Sequence, residues 1–140
     1  MKIFLSGSMK FAEEMVETQK KLEELGHTVD VPYGTEDHLK DKEFVDDLEG
    51  NIGYCIEHDV IRKCFQLIAK SDAILVLNYK RRGVEGNIGT SALMEMGIAH
   101  FLKKKIFLFF PVPHFREHRW AHEVMIMQPV IIDGDLAKIR

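Results

Sequence analysis

A glutamate, Glu95, stands in an amphipathic stretch, SALMEMGIAHFL, that follows a glycine-punctuated loop, which in turn follows a strongly apolar segment, AILVLN, ending at Asn78. A loop leaving the C-terminal end of a parallel strand delivers the next helix's N-terminus to the crevice where doubly wound sheets bind ligands. Unpaired N–H groups and the positive end of the helix dipole there favour an ionised carboxylate. That state suits a nucleophile. Residues 94, 98 and 101 are expected to form an apolar face, and Glu95 shares its own side with Ile98, Ala99 and Leu102, at the border of the core. The competing reading is a partly buried structural acid that answers Lys103, Lys104 or a backbone amide.

Chain geometry sorts the groups that could meet Glu95. Asp72 opens the third strand, and roughly six residues at about 3.3 Å each put it on the opposite edge of the sheet from Asn78. The preceding helix runs the other way. About 13 residues at roughly 1.5 Å each return its start, His58-Asp59, to the level of Asn78. Asp59 is thus the expected acid partner, with His58 beside it, and the alternative is an acid that only complements the helix dipole. In SGSMK, Gly7 would let backbone approach a ligand and Ser8 would offer a donor to a sugar or phosphate, whereas a tight turn with helix capping competes. The second glycine and Gly-Lys-Ser/Thr ending of a Walker loop are missing. Asn78, Gly89 and Thr90 are expected to line the same sugar or phosphate site. Lys80, Arg81 and Arg82 could receive a phosphate or simply decorate a solvated hairpin-like loop. His114, His118 and His122 have helical i, i+4, i+8 spacing, but Pro113 disturbs the start and no acid or cysteine joins them by spacing, so neither a metal nor another cofactor is expected.

Positioning such residues takes alternating strands and helices. KIFLS, TVDVP, AILVLN, KIFLFF and PVII read as strands, and residues 10 to 25, 56 to 70, 90 to 103 and 116 to 126 as helices. The series predicts an α/β, flavodoxin-like, three-layer fold with a mostly parallel five-stranded sheet in the order 2-1-3-4-5. Phe11, Met15, Leu22 and Leu25 stripe the first helix, Gly26 stops it, and Ile61, Cys64, Phe65 and Ile68 stripe the second. Residues 33 to 54 are polar, acidic and long for a connection in this fold, consistent with a lid or with a short surface helix near Glu43 to Leu48.

A chain of 140 residues suits a single domain spanning residues 1–140. With 19 basic and 22 acidic residues the net charge is −3, which offers no global positive field for a nucleic-acid polymer or membrane and favours a small ligand. The start, Met1 into KIFLSG, lacks a signal-type apolar run, so a cytoplasmic protein is expected. Cys55 and Cys64, nine residues apart in or beside one expected helix, form neither a disulfide framework nor a zinc pattern. Trp120, Met125 and Met127 suit either a partner surface or the core.

Taken together, SGSM, HDVI, SDAILVLN and GTSALMEMGIAH, in this order, resemble the nucleoside 2-deoxyribosyltransferase-like superfamily, which includes deoxynucleoside monophosphate N-glycosidases. The likeness spans most of the chain and is greatest to a poorly characterised branch with an NIG or YIG loop, an LMEMG helix and an ending like MQPVIIDGDL. It implies a flavodoxin-like fold, a homodimer, and a glutamate that attacks the anomeric carbon. By the resemblance that glutamate is Glu95 and the second acid is Asp59. Family transferases often carry an aspartate in the loop before the glutamate helix, where this chain has Glu85 and Asn87, so Asn87 joins the substrate-binding candidates. The expectation is cleavage or transfer of an N-glycosidic bond on a nucleoside or nucleoside 5′-monophosphate. A non-catalytic nucleotide-binding module is the alternative. Phosphoribohydrolase chemistry, for which the PGG lead-in is missing, and NAD cleavage rank lower.

Overall fold

The computed structural model describes all 140 residues. Five strands, β1 (Lys2–Ser6), β2 (Thr28–Asp30), β3 (Ala73–Val76), β4 (Lys105–Leu108) and β5 (Val130–Ile131), pair in parallel in the order β2-β1-β3-β4-β5. The helices are α1 (Ala12–Glu24), α2 (Thr35–Lys40), α3 (Leu48–Glu57), α4 (Val60–Ala69), α5 (Thr90–Phe101) and α6 (Arg119–Ile126). This is the three-layer α/β architecture and strand order expected from the sequence, with every strand pairing parallel.

Both sheet faces are covered, so the central strands are apolar on both sides. In β1, Ile3 and Leu5 point to α1, joining Met15, Leu22, Leu75 and Phe107. Phe4 points the other way and joins Ile74, Val76, Met96 and Leu108 under α4, α5 and α6. Strand side chains alternate faces, so Ser6 follows Phe4 onto the α4–α5 side. Asn78, two residues beyond Val76, is likewise buried at that edge. Asp72 lies at the opposite edge, where it accepts a 2.7 Å hydrogen bond from the Lys2 amide.

Several boundaries differ from expectation. The helix expected over 56–70 is two helices, because Asp59 adopts φ +49° between them and a left-handed residue cannot continue a right-handed helix. Cys55 and Cys64 accordingly lie on different helices, both as free thiols. Residues 9–11 form a 3-10 turn before α1, and Phe11 packs on Tyr79 at 5.0 Å between ring centroids instead of joining the α1 stripe. The final helix starts at Arg119, so His114 and His118 do not continue its face and the three histidines share no helical stripe. Trp120 and Met127 pack against the core, whereas Met125 is exposed. The buried stripe of α5 is Ala92, Glu95, Met96 and Ala99, while Met94 and Phe101 face outward. The 33–54 segment is ordered around α2, a 3-10 turn at Phe44–Asp46 and the start of α3. No helix is long and apolar enough to cross a membrane.

Candidate functional site

Glu95 is 7% exposed, and the Ser6 hydroxyl at the end of β1 donates to its Oε1 at 2.6 Å. Its other oxygen has no protein hydrogen bond, and neither Lys103 nor Lys104 pairs with it. The helix dipole was expected to keep this acid ionised. Burial does the opposite and raises its pKa to about 7, with the Ser6 hydrogen bond acting against the rise. The reason is position: Glu95 is the sixth residue of α5, and the field of a helix end fades within its first turn. Desolvation then dominates and favours the neutral acid. At neutral pH the group therefore sits near its midpoint, where a carboxylate is available and remains weakly solvated.

A pocket of about 120 Å³ opens beside this carboxylate. Gly7 and Met9 line it from the loop after β1, Pro32 and Tyr33 from the loop after β2, His38 from α2, and Asn51, Tyr54 and Cys55 from α3. Cys64 and Phe65 of α4, and Ser91 and Met94 of α5, complete much of the rest. Glu95 is the sole acid in the lining. The long segment after β2 thus forms the wall facing α5. Most of its polar groups are engaged internally. Tyr54 donates to Asp37 at 2.6 Å, Tyr33 hydroxyl and His58 Nδ1 lie 3.1 Å apart, and Asn51 donates to the Phe44 carbonyl. The two thiols are poor nucleophiles here, since burial raises both pKa values and Cys64 reaches about 11.

Gly7 also borders an adjacent, smaller hollow shared with Ser8, Arg81, Asn87 and Gly89. Gly7 has φ +154°, and a Cβ there would approach the Leu77 carbonyl oxygen at 3.2 Å, so glycine suits the close packing of this loop on the end of β3. Ser8 caps the Lys10 amide and receives a 2.6 Å hydrogen bond from Arg81. Arg81 reaches this position from a tight hairpin in which Arg81 and Val84 exchange backbone hydrogen bonds around Arg82 and Gly83, both at positive φ. Lys80 and Arg82 stay exposed, so of the basic run only Arg81 faces the crevice.

The structure therefore gathers Glu95 and Gly7 at one pocket and Ser8, Asn87 and Gly89 next to it. It does not bring Asp59 to Glu95. The left-handed turn directs the Asp59 carboxylate to Arg62 at 2.8 Å, in an ion pair whose side chains are 57% and 73% exposed. His58 lies behind the pocket wall, its ring 4.5 Å from Tyr54 and 5.5 Å from Tyr33. Thr90 begins α5 but is exposed and lines neither hollow. Asn78 is committed to architecture. Its amide donates to the Phe110 carbonyl at 2.7 Å, and its oxygen accepts from the Phe110 amide at 2.9 Å.

Ser6, which touches Glu95, and Tyr33, His38, Tyr54 and Cys64, which line the pocket, were not among the site candidates read from the sequence. Ser6 had a usable signal, since its parity with Phe4 aims it at α5. The aromatic residues had none beyond their clustering in an overlong connection.

No protein-family model matches the chain, and no curated protein matches it. Among solved structures, a CMP N-glycosidase from Clostridium botulinum is similar over 94% of this chain and 85% of its own, with 19% identity and a TM-score of 0.47.

Proposed function

We propose that the protein cleaves or transfers the N-glycosidic bond of a nucleoside or nucleoside 5′-monophosphate, with Glu95 as nucleophile. The observation that carries this reading is a buried carboxylate with one oxygen held by Ser6 and the other free, at the floor of a pocket on the C-terminal edge of a parallel sheet. The likeness of GTSALMEMGIAH and its companion motifs to the deoxyribosyltransferase-like superfamily supports it.

In the first step a Glu95 oxygen forms a bond to C1′ while the C1′–N bond breaks, its electron pair leaving with the base. The base takes its proton from water, because no second acid lines the pocket. Attack by water on the glycosyl ester then gives hydrolysis, and attack by another base gives transfer, each returning the Glu95 carboxylate. Two displacements retain the anomeric configuration, by the logic of retaining glycosidases. Gly7, Ser8, Asn87 and Gly89 border a hollow of about 20 Å³ beside the pocket, which in this scheme takes only the tip of the 5′ substituent, and Arg81 supplies positive charge there. Asp59, His58, Asn78 and Thr90 serve the fold around the site in this scheme. A homodimer is part of the same reading.

A second reading, a non-catalytic nucleotide-binding module, is favoured by the absence of a second acid from the pocket. The experiment that separates them follows base release and base exchange from ribo- and deoxyribonucleosides and their 5′-monophosphates, with wild type and Glu95→Gln. The enzyme reading expects turnover that falls at least about a thousand-fold in the variant. Loss of only a few-fold removes Glu95 as nucleophile. Tight binding with the ligand recovered intact establishes the module.

A further inference from the structure

His38, on α2, is 7% exposed and lines the pocket opposite α5. Only two buried side-chain atoms in the whole chain lack a hydrogen-bond partner: one is an oxygen of Asp30, which has Lys2 at 3.7 Å, and the other is Nδ1 of His38. The remaining buried polar group of the pocket, Glu95, is half engaged by Ser6. The pocket therefore contains two buried ionisable side chains with hydrogen-bonding capacity not satisfied by protein, one from α2 and one from α5.

Which nitrogen of His38 meets a ligand follows from the cost of burial. Nδ1 is sealed from solvent and from any ligand, whereas Nε2 is neither sealed nor hydrogen-bonded within the protein, so Nε2 is the nitrogen left to meet a ligand in the pocket that His38 lines. A sealed N–H with nothing to donate to is costlier than a sealed lone pair, which places the proton of the neutral ring on Nε2. Burial lowers the ring's pKa, against the raising effect of Asp37 and Asp41, in keeping with a neutral donor. The surroundings say what the donor meets. Tyr33 and Tyr54 line the same side, and Phe44 packs on the His38 ring at 5.0 Å. A planar heterocycle suits such aromatic walls, whereas the anion-friendly groups Ser8 and Arg81 line the adjacent hollow beyond Gly7.

We propose that His38 is a specificity-determining residue, its Nε2–H donating a hydrogen bond to an acceptor atom on the base of the bound nucleoside or nucleotide. This rests on the N-glycosidic reading of the same pocket. The bond also gains strength as the departing base collects the electron pair of the broken C1′–N bond, so it assists departure without transferring a proton.

The test compares wild type, His38→Phe and His38→Gln on adenosine 5′-monophosphate, its 3-deaza and 7-deaza analogues, cytidine 5′-monophosphate, the matching deoxyribonucleotides, and a 4-nitrophenyl riboside whose leaving group needs no assistance. On the best natural substrate, His38→Phe should lose ~30-fold in kcat/KM, with His38→Gln recovering part of it, since its amide can still donate. On the nitrophenyl substrate His38→Phe should stay within about threefold, and the deaza change that removes the contacted acceptor should cost the wild type but not the variant. Equal losses on the natural and nitrophenyl substrates overturn the assignment and make His38 a packing residue. If the wild type turns over nothing in the set, the glycosidic reading fails by itself, and His38 is judged by binding. Its ring ¹⁵N signals must then shift on titration with adenosine or cytidine 5′-monophosphate; unmoved signals overturn the proposal.

Discussion

Asn78 and Glu95 occupy comparable places: both are buried at the C-terminal edge of the sheet, on the α4–α5 side, and both approach loops that leave β-strands. Their hydrogen bonding separates them. Asn78 makes paired hydrogen bonds with the Phe110 backbone at 2.7 and 2.9 Å and a longer one to the Gly86 carbonyl at 3.4 Å, clamping the loop after β3 to the loop after β4. Glu95 receives one hydrogen bond and carries a raised pKa. A buried polar residue satisfied by backbone is part of the architecture, whereas one left partly unsatisfied costs stability and keeps hydrogen-bonding capacity for a ligand or water. Sequence alone placed both residues in the binding site, because residue type and edge position do not reveal whether hydrogen-bonding capacity is already used.

The sharpest challenge to this contrast is Asn78→Ala. It should destabilise the fold by about 3 to 4 kcal/mol, because the Phe110 amide and carbonyl lose their partners at a buried loop junction. Chemical denaturation reads the loss directly. A cost below about 1 kcal/mol would mean that the clamp is dispensable and that Asn78 is as free for ligand as Glu95.

Glu95→Gln should act in the opposite sense. The folded-state pKa of about 7 lies above the ordinary 4.5, so the native state binds the proton more tightly than the unfolded chain. The stability held by the neutral acid is fully present below pH 4.5 and is lost as pH rises through about 7. At pH 8 the ionised group then costs the fold about 3 kcal/mol, which the neutral amide avoids. Denaturation midpoints of wild type and Glu95→Gln should coincide near pH 4 and separate by pH 8, the variant being the more stable. A variant less stable at both pH values would make Glu95 a structural residue, as Asn78 is.

Ser6→Ala sharpens the same comparison with a smaller effect. Its hydroxyl lowers the Glu95 pKa, so its removal should move the acid limb of kcat/KM upward by roughly one pH unit. Because attack requires the carboxylate, activity rises through this limb, and the variant should be slower at pH 7 and close to wild type at pH 9. A limb that stays in place would separate Ser6 from the ionisation of Glu95.

What the sequence disclosed, and what it hid, follows the same division. Apolar runs such as KIFLS and AILVLN alternating with helical stretches fit a parallel sheet buried on both faces, so the fold class, with its simplest strand order, and the Glu95 loop-helix junction were legible. The wall opposite α5 was not, because Tyr33, His38 and Tyr54 converge through α2 and α3, short elements with weak periodicity inside a connection read as a lid or a short surface helix. His38 in particular gives no signal by type. Its significance lies in a buried ring beside the pocket whose Nδ1 is sealed and whose Nε2 has no protein partner, a circumstance that exists only once the chain is folded.

Asp59 tests the boundary between these two kinds of information. Helix arithmetic put it level with Asn78, and the arithmetic was sound for an unbroken helix from residue 56 to 70. The break at His58-Asp59 shortens α4 and turns the carboxylate to Arg62. An exposed pair of this kind contributes little, and asparagine tolerates the left-handed conformation that Asp59 adopts. Asp59→Asn should therefore leave kcat/KM within about threefold and the melting temperature nearly unchanged. A loss of a hundred-fold with the fold intact would show that the α3–α4 turn reorients when substrate binds, bringing a second acid to Glu95 and restoring the two-carboxylate arrangement suggested by the sequence.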